Sequence, residues 1–454
     1  MSSESQTQSA VVVIGAGPAG LFAARELANL GMHIVVLNRD IKPGGLAEYG
    51  IYPSKHKMKE GLRKQFRQIL QLSNLDYYGN ITVGEKADLS LADLKEAGFK
   101  AIVVSAGAQG TKWLGLPGED IPKGVYHAKD IVYHYNRLPP NSQKRYHIGK
   151  RVALVGVGNV MLDIARWLIR QVKVDEVIAV ARRGPAEVKF DKKELEYVAA
   201  NLDLQALDVE LERVAAAMQA VEQNPNEARE YIHSALPKAM EPVSQTRFIL
   251  QFLSSPVRII GSNNGEVTGL EIEETRLVRT NGDTKAKGTG IKRIMDIDTV
   301  IFAIGDKVDE GFGLPVQWNE FVKNPAPRFS VDGISYETFD PQTNQPIDGI
   351  FVAGWSREAS SGLVGLARKD GERAAKAVLQ YLESQPPGAV TMAAIEALKQ
   401  RLFSLGKPVI VKDDILRLEA VEQAEAEKQG LEEFKFASNE EMLAAMGMAL
   451  EAQA

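Results

Sequence analysis

The sequence predicts an α/β protein of two three-layer domains, one inserted into the other, followed by a helical C-terminal extension. Three observations carry this. An apolar run, a glycine turn and a helical pattern open the chain; the same succession returns at Lys150; an acidic, helix-rich stretch closes it. At 454 residues the chain exceeds what one core organises efficiently, so two domains or more are expected.

The elements follow in order. Ala10–Ile14 is apolar without polar alternation, as a parallel strand buried on both faces requires. Gly15-Ala16-Gly17-Pro18-Ala19-Gly20 then satisfies GxGxxG between strand and helix. Gly15 permits the tight turn, Gly17 lets backbone approach a pyrophosphate, and Gly20 lets helix and strand pack closely. The phosphates would rest on unpaired N–H groups at the helix N-terminus, where the dipole favours an anion. The second strand ends at Asn38, where an Asp or Glu is expected to bind a ribose hydroxyl. Asn accepts one hydrogen bond without the charge assistance of a carboxylate, and Asp40 is near enough to substitute. A Gly/Pro turn at Lys42–Gly45, a basic stretch from Lys55 to Arg67 and a buried strand Phe99–Ala106 leading to Gly107 complete this part.

The second unit reads strand, glycine turn, helix, strand from Lys150. Its turn is Gly156-Val157-Gly158-Asn159-Val160-Met161, with Met in place of the third glycine, which implies a slightly wider helix–strand approach. Its second strand ends in Arg182-Arg183 rather than an acid. Two guanidinium groups there suit a 2′-phosphate, favouring NADP(H) over NAD(H); the plain alternative is a solvated basic pair at a strand end. A long helical region is expected over Lys192–Ala239, then β-like pieces at Arg247–Leu253, Val257–Ile260 and Val267–Glu273. Asp298–Ile304 and Ile350–Ala353 read as buried strands, and the latter feeds Gly354-Trp355 and a helix near Gly362–Leu382. N–H groups at that helix start, around Gly362-Leu363-Val364, could face the pyrimidine edge of a flavin; Trp355 could equally be a core aromatic. Gln385–Gly388 marks a hinge, and Ser438 and Glu441 have capping-box spacing for a last short helix. Two dinucleotide units imply two sites. The boundaries predicted are 1–108 with 330–384 for the first domain, 109–329 for the inserted one and 385–454 for the extension.

Composition narrows the chemistry. With no cysteine there is no disulfide, no redox CxxC and no cysteine-held zinc or iron–sulfur cluster. The six histidines show no ligand spacing, so no metal site is expected and redox chemistry must ride on an organic cofactor. Net charge is −5, and Val411–Ala454 holds eleven acids against four bases, which argues against a nucleic-acid binder. No apolar run reaches the roughly 18 residues of a membrane span. The first nine residues resemble neither a secretory signal nor a transit peptide, so a frayed N-terminus and a cytoplasmic location are expected. Lys55, Lys59, Arg63 and Arg67 recur at i,i+4 and would repel unless an anion is near. An acidic partner or a phosphate would satisfy them; acids elsewhere in the chain are the commoner solution.

The motifs together resemble the adrenodoxin-reductase-like family of FAD-dependent ferredoxin–NADP reductases. The resemblance runs from Val11 to Met446, through GAGPAGLFAA, PGGLAEYGIYP, YYGNITVG, LGLPGED, GVGNVMLDIAR, ARRGPAEVKFDKKEL, FLSSPVRI, AGW and LRLEAVEQAEAEKQG. It implies a glutathione-reductase-like pair of Rossmann-like domains. FAD would be held by Gly15, Ala16, Gly17, Pro18 and Gly20, by Asn38, Gly45-Leu46, Val83 and Gly107, and by Gly354-Trp355 and Gly362-Leu363-Val364. NADP(H) would be held by Gly156, Gly158, Asn159-Val160 and Arg182-Arg183, with Glu194 matching an acid that controls conformation. Three departures stand out. Asn38 replaces the family's ribose-binding acid; Ser54-Lys55-His56-Lys57 shifts the family's histidine by one, leaving His56 a doubtful catalytic candidate; and Trp355-Ser356-Arg357-Glu358-Ala359-Ser360 replaces a Trp-x-x-Arg-Gly-Pro run.

The function expected is hydride transfer from NADPH to FAD, then single electrons to a separate acidic carrier, ferredoxin or flavodoxin. The Lys55–Arg67 stripe or Lys189, Lys192 and Lys193 would steer that carrier. Two rivals remain: an NADPH-oxidising subunit of a larger iron–sulfur enzyme, like the small flavoprotein subunit of glutamate synthase, and a non-catalytic nucleotide sensor.

Overall fold

The computed structural model describes residues 9–360, 362–386 and 392–448. The frayed start lies outside these residues except for Ser9, as do the last two residues of the QPPG hinge and the final six of the extension. The chain divides into two compact units. One holds residues up to Lys112, Tyr133–Gln143 and everything from Gly305; the other holds Trp113–Val132 and Lys144–Ile304.

In the first unit β1 (Ala10–Ile14), β2 (His33–Asn38), β3 (Leu75–Gly79) and β4 (Ala101–Val104) lie parallel in the order β4-β1-β2-β3. Strand Gln345–Val352 adds parallel to β4, and Glu337–Asp340 closes that edge antiparallel. The apolar runs of β1 and β2 are explained by cover on both faces. Val11 and Val13 pack with α1 (Pro18–Asn29) and helix Val364–Ser384, through Phe22, Leu27, Ala374 and Val378. Val12 and Ile14 pack on the other side with Leu94, Leu398 and Leu402. The outer edge of β3 is closed by the extension: Gly79 bridges Ile410, the Asn80 amide donates to Pro408 O, and Lys412 donates to Leu72 O and Leu75 O. Covering an edge in this way removes a template for aggregation.

The second unit has a five-stranded parallel sheet in the order Val125–His127, Thr299–Phe302, Arg151–Val155, Glu176–Val180, Arg247–Gln251. One face packs on a three-stranded antiparallel sheet, Ser254–Gly261, Val267–Thr280 and Asp283–Met295, through Val155, Ile178, Ile259, Leu270 and Ile272.

The fold departs from the sequence reading in three places. The expected helical region Lys192–Ala239 is broken into Lys192–Leu195, Leu204–Gln219 and Pro225–His233, because Asp203 and Asn224 cap new helices and Pro225 starts one. Strand Asp283–Met295 was not anticipated: its glycines and lysines carry no alternating pattern, since it is an exposed edge. The chain also returns to the first unit at Gly305 rather than near 330, and enters the second at Trp113 rather than 109. Phe312, Leu314 and Phe321, between the two estimates, are buried in the first unit's core.

Candidate functional site

The first glycine turn is built by close packing. Gly15 has φ +101, and a Cβ on it would stand 2.4 Å from Ser105 O; one on Gly20 would stand 2.0 Å from Gly15 O. No side chain larger than hydrogen fits either position. Gly17 is different: φ is −77, ψ is 179, and an added Cβ would meet nothing within 4 Å. Gly17 is also the N-cap of α1, no side chain caps that helix, and Pro18 follows at its first position. The helix therefore starts with uncapped amides facing open space, which is the chemistry of an anion cradle.

Other parts of the first unit converge on this turn. Gly44 N donates to Ala16 O at 2.7 Å, so the loop leading into α2 (Leu46–Tyr49) is hydrogen-bonded to the glycine turn, and a Cβ on Gly45 would stand 3.2 Å from Gly17 Cα. Gly354, at φ +62, lies against α1: a Cβ there would be 2.7 Å from Ala19 Cβ. Gly107 N donates to Ser356 Oγ at 3.0 Å. Helix Val364–Ser384 also begins without a side-chain cap; Gly365 opens onto free space, while Leu363 and Leu366 are 68% and 59% exposed. Uncapped donors beside exposed aliphatic surface suit a flat, apolar ring with a polar edge. Trp355 is half-buried, and Val83 is packed into the core. A residue unmarked in the sequence organises this side. Asp370, buried in the helix, accepts from Gly354 N at 2.6 Å, Tyr336 Oη at 3.1 Å and Arg357 Nε at 2.9 Å. The displaced arginine of the 355–360 run is thus an internal partner of Asp370. No periodicity signals such a residue.

Asn38, where the ribose contact was expected, has both ends of its side chain engaged within the unit. It is buried; Oδ1 accepts from Ala16 N at 3.0 Å, and Nδ2 donates to Asp40 O at 2.8 Å and Lys42 O at 3.1 Å. Asp40 is engaged by Arg39 Nε at 3.0 Å.

Three of the four bases of the stripe, Lys59, Arg63 and Arg67, are matched by acids within the unit, the commoner of the two solutions expected, and this takes them out of the carrier-steering role. On α3 (His56–Leu70), Lys59 is buried and donates to Asn136 Oδ1 at 3.1 Å and Glu433 at 3.3 Å. Arg63 makes a two-pronged pair with Glu48 at 2.7 and 2.6 Å and also reaches Glu433. Arg67 pairs with Glu419 at 2.6 Å and Glu60 at 3.0 Å. Lys435 joins Glu48 at 2.9 Å, and Lys42 pairs with both Glu48 and Glu422. His56 Nδ1 lies 2.9 Å from Glu432, within the same charged region. The acids of the C-terminal extension and the bases of α3 are two halves of one network.

Burial alone would raise the Glu48 carboxyl, but Lys42, Lys435 and Arg63 hold it well below its ordinary value, and Glu433 is lowered by Lys435, Lys59 and Arg63 against the same penalty. The unfolded chain then binds more protons than the native one as pH falls through about 4.5, so this stabilisation is complete above that range and lost below it. Thermal midpoints should drop as pH falls below that point, and Glu433→Gln should flatten the drop while lowering stability at neutral pH; parallel pH–melting curves check this. Lys59 acts in the same direction in an alkaline window: burial and Lys435 push its pKa down to about 8, so stability rises again with pH between there and its ordinary 10.5.

In the second unit Gly156 has φ +126, and a Cβ would stand 2.3 Å from Ala303 O, whereas one on Gly158 would meet nothing within 4 Å. Helix Asn159–Trp167 starts there without a side-chain cap, with Val160 exposed at its start. Met161, in the third glycine's place, is fully buried. Asn159 exchanges two hydrogen bonds with Asp191, Nδ2 to Oδ2 at 2.8 Å and Asp191 N to Oδ1 at 2.7 Å, so the 189–191 segment is tied beside the turn. Arg182 is exposed and Arg183 half-exposed, and among the described residues neither makes an ion pair. Their backbone is braced by Thr275 Oγ1 on Arg182 O at 2.6 Å and Leu253 N on Arg183 O at 3.2 Å. Glu194 is half-buried in the short helix Lys192–Leu195.

Two glycine turns at parallel-strand ends, each opening an uncapped helix and each on its own unit, define a two-dinucleotide oxidoreductase. The family model for pyridine nucleotide-disulphide oxidoreductases matches residues 9–336, and the chain belongs to that family. With no cysteine, it has none of the disulphide chemistry in the family's description. The NADPH-ferredoxin reductase FprA of Mycobacterium leprae is 27% identical over 82% of this chain and 84% of its own length. The human mitochondrial NADPH:adrenodoxin oxidoreductase is also 27% identical, over 96% and 92%. The solved structure of FprA, a Mycobacterium tuberculosis oxidoreductase, superposes with a TM-score of 0.79 at 24% identity, covering 97% of this chain and 99% of that one, and shares its fold.

Proposed function

We propose that the chain is an FAD-dependent NADPH oxidoreductase that passes single electrons to a small acidic carrier protein of the ferredoxin or flavodoxin kind. One observation carries the reading: each unit presents an uncapped helix behind a glycine whose missing side chain leaves open space, and the second is followed by two arginines that, among the described residues, make no ion pair. The residues fit the groups. Gly15, Gly17, Gly20, Gly45 and Leu46 would hold the FAD pyrophosphate side, with Gly354 and residues 362–364 at the ring. Gly156, Gly158 and Asn159 would hold the NADP pyrophosphate, and Arg182 and Arg183 the 2′-phosphate. Bound flavin supplies the conversion between a two-electron hydride donor and one-electron acceptors. The protein's work is positioning and charge, and Asp370 fixes the Gly354 turn for it. The relatives named for ferredoxin and adrenodoxin support this choice of acceptor. With the α3 stripe consumed, Lys189, Lys192 and Lys193 are the candidate steering charges; all three are exposed and, among the described residues, outside ion pairs.

Stopped-flow reduction of the purified yellow protein by NADPH and NADH, followed by mixing with a ferredoxin at several salt concentrations, tests the reading. NADPH should reduce the flavin far faster than NADH. Replacing Arg182 and Arg183 together by leucine should cut the NADPH preference by about tenfold to a hundredfold, the worth of one or two charge-assisted bonds. An unaltered preference would remove the arginines from the site. Carrier reduction should slow as salt rises.

A further inference from the structure

The family's acid at the end of β2 is an amide in this chain, and its surroundings explain why. Asn38 Oδ1 faces one donor, Ala16 N, while Nδ2 faces three oxygens: Asp40 O, Lys42 O and, at 3.3 Å, Tyr77 Oη. Tyr77 Oη spends its own proton on Ile41 O at 3.0 Å, so it can only accept from Asn38. A carboxylate of the same shape would set a negative oxygen against three acceptors inside a buried site. Position 38 therefore needs a side chain that accepts at one end and donates at the other.

These bonds link two loops. Ala16 gives its N–H to Asn38 and its carbonyl to Gly44 N, so residues 15–17 and 39–45 are stitched through both peptide groups of one residue. We propose that Asn38 is a positioning residue that locks the two glycine-bearing loops into a single cradle, and that it is not the residue receiving the ribose of the bound dinucleotide. This rests on the reading that the first turn holds FAD.

The two roles give opposite signs for one substitution. If Asn38 were the ribose ligand, Asn38→Asp would restore the family's charge-assisted contact and tighten FAD. As a positioning residue, Asn38→Asp should weaken FAD binding by about tenfold or more at neutral pH, with affinity relative to wild type recovering at acid pH as the carboxyl, raised by burial among acceptors, protonates and regains a donor. Asn38→Ala, which adds no charge, should weaken binding without the pH recovery, and it keeps the test available if the aspartate variant folds poorly. The second readout needs no flavin: amide exchange over residues 10–22 of the flavin-free chain should be faster in both variants. Tighter FAD binding by Asn38→Asp, or unchanged exchange in both variants, overturns the proposal. Should the wild type bind no FAD, the cofactor reading fails, while the exchange measurement still decides whether Asn38 locks the loops.

Discussion

Gly17→Val should give a folded protein that has lost its colour. The position has ordinary extended backbone and an added Cβ touches nothing within 4 Å, so the apo chain has no reason to resist the change. The new methyl groups would nevertheless occupy the space in front of the α1 amides. A pyrophosphate held by two or more charge-assisted bonds would lose them, for a fall in affinity on the order of a thousandfold. Gly20→Val is the contrasting variant, because its Cβ would stand 2.0 Å from Gly15 O and the strand–helix packing itself must give way. Flavin-to-protein ratio and far-UV circular dichroism separate the two: Gly17→Val normal in fold and empty, Gly20→Val defective in both. Stoichiometric flavin in folded Gly17→Val would show that this turn is not the cradle.

The largest loss of stability is expected from Glu48→Gln. Glu48 is buried and central to Lys42, Arg63 and Lys435, and its backbone carbonyl also accepts from Lys435 at 2.7 Å. Removing its charge leaves the buried Lys42 and Lys435 and the half-buried Arg63 with Glu422, Glu433 and the exposed Glu60, and breaking a buried pair from one side costs about 3–5 kcal/mol. Because Glu48 lies in α2, two residues after Leu46, flavin should also be released more readily. Chemical denaturation at neutral pH measures the first effect and flavin fluorescence the second. A loss under about 1 kcal/mol, as for a solvated surface pair, would contradict the buried network.

What could be read in advance was local. A GxGxxG turn declares itself because steric demands on Gly15, Gly17 and Gly20 are met within six residues. The capping box at Ser438 and Glu441 was equally plain, and both of its bonds are present at 3.1 Å. The α3 stripe could be seen but not interpreted, because Lys59, Arg63 and Arg67 find acids 374, 370 and 352 positions away. Asp370 was invisible for the same reason: two of its three donors come from the 354–357 turn and the third from the Tyr336 ring, 34 positions away. The strand Asp283–Met295 was missed because an exposed edge has no buried face to impose alternation.

Where the backbone must turn is legible from residue order alone, since glycine, proline and apolar runs act on their immediate neighbours. Which charges are spent is settled by folding: Lys59, Arg63 and Arg67 are matched to acids of the extension, Asn38 is turned inward against a loop, and Arg182 and Arg183 are left open. The physical reason is range. Steric rules are settled over a few bonds, whereas a buried charge or amide must be matched wherever the fold brings a partner to it.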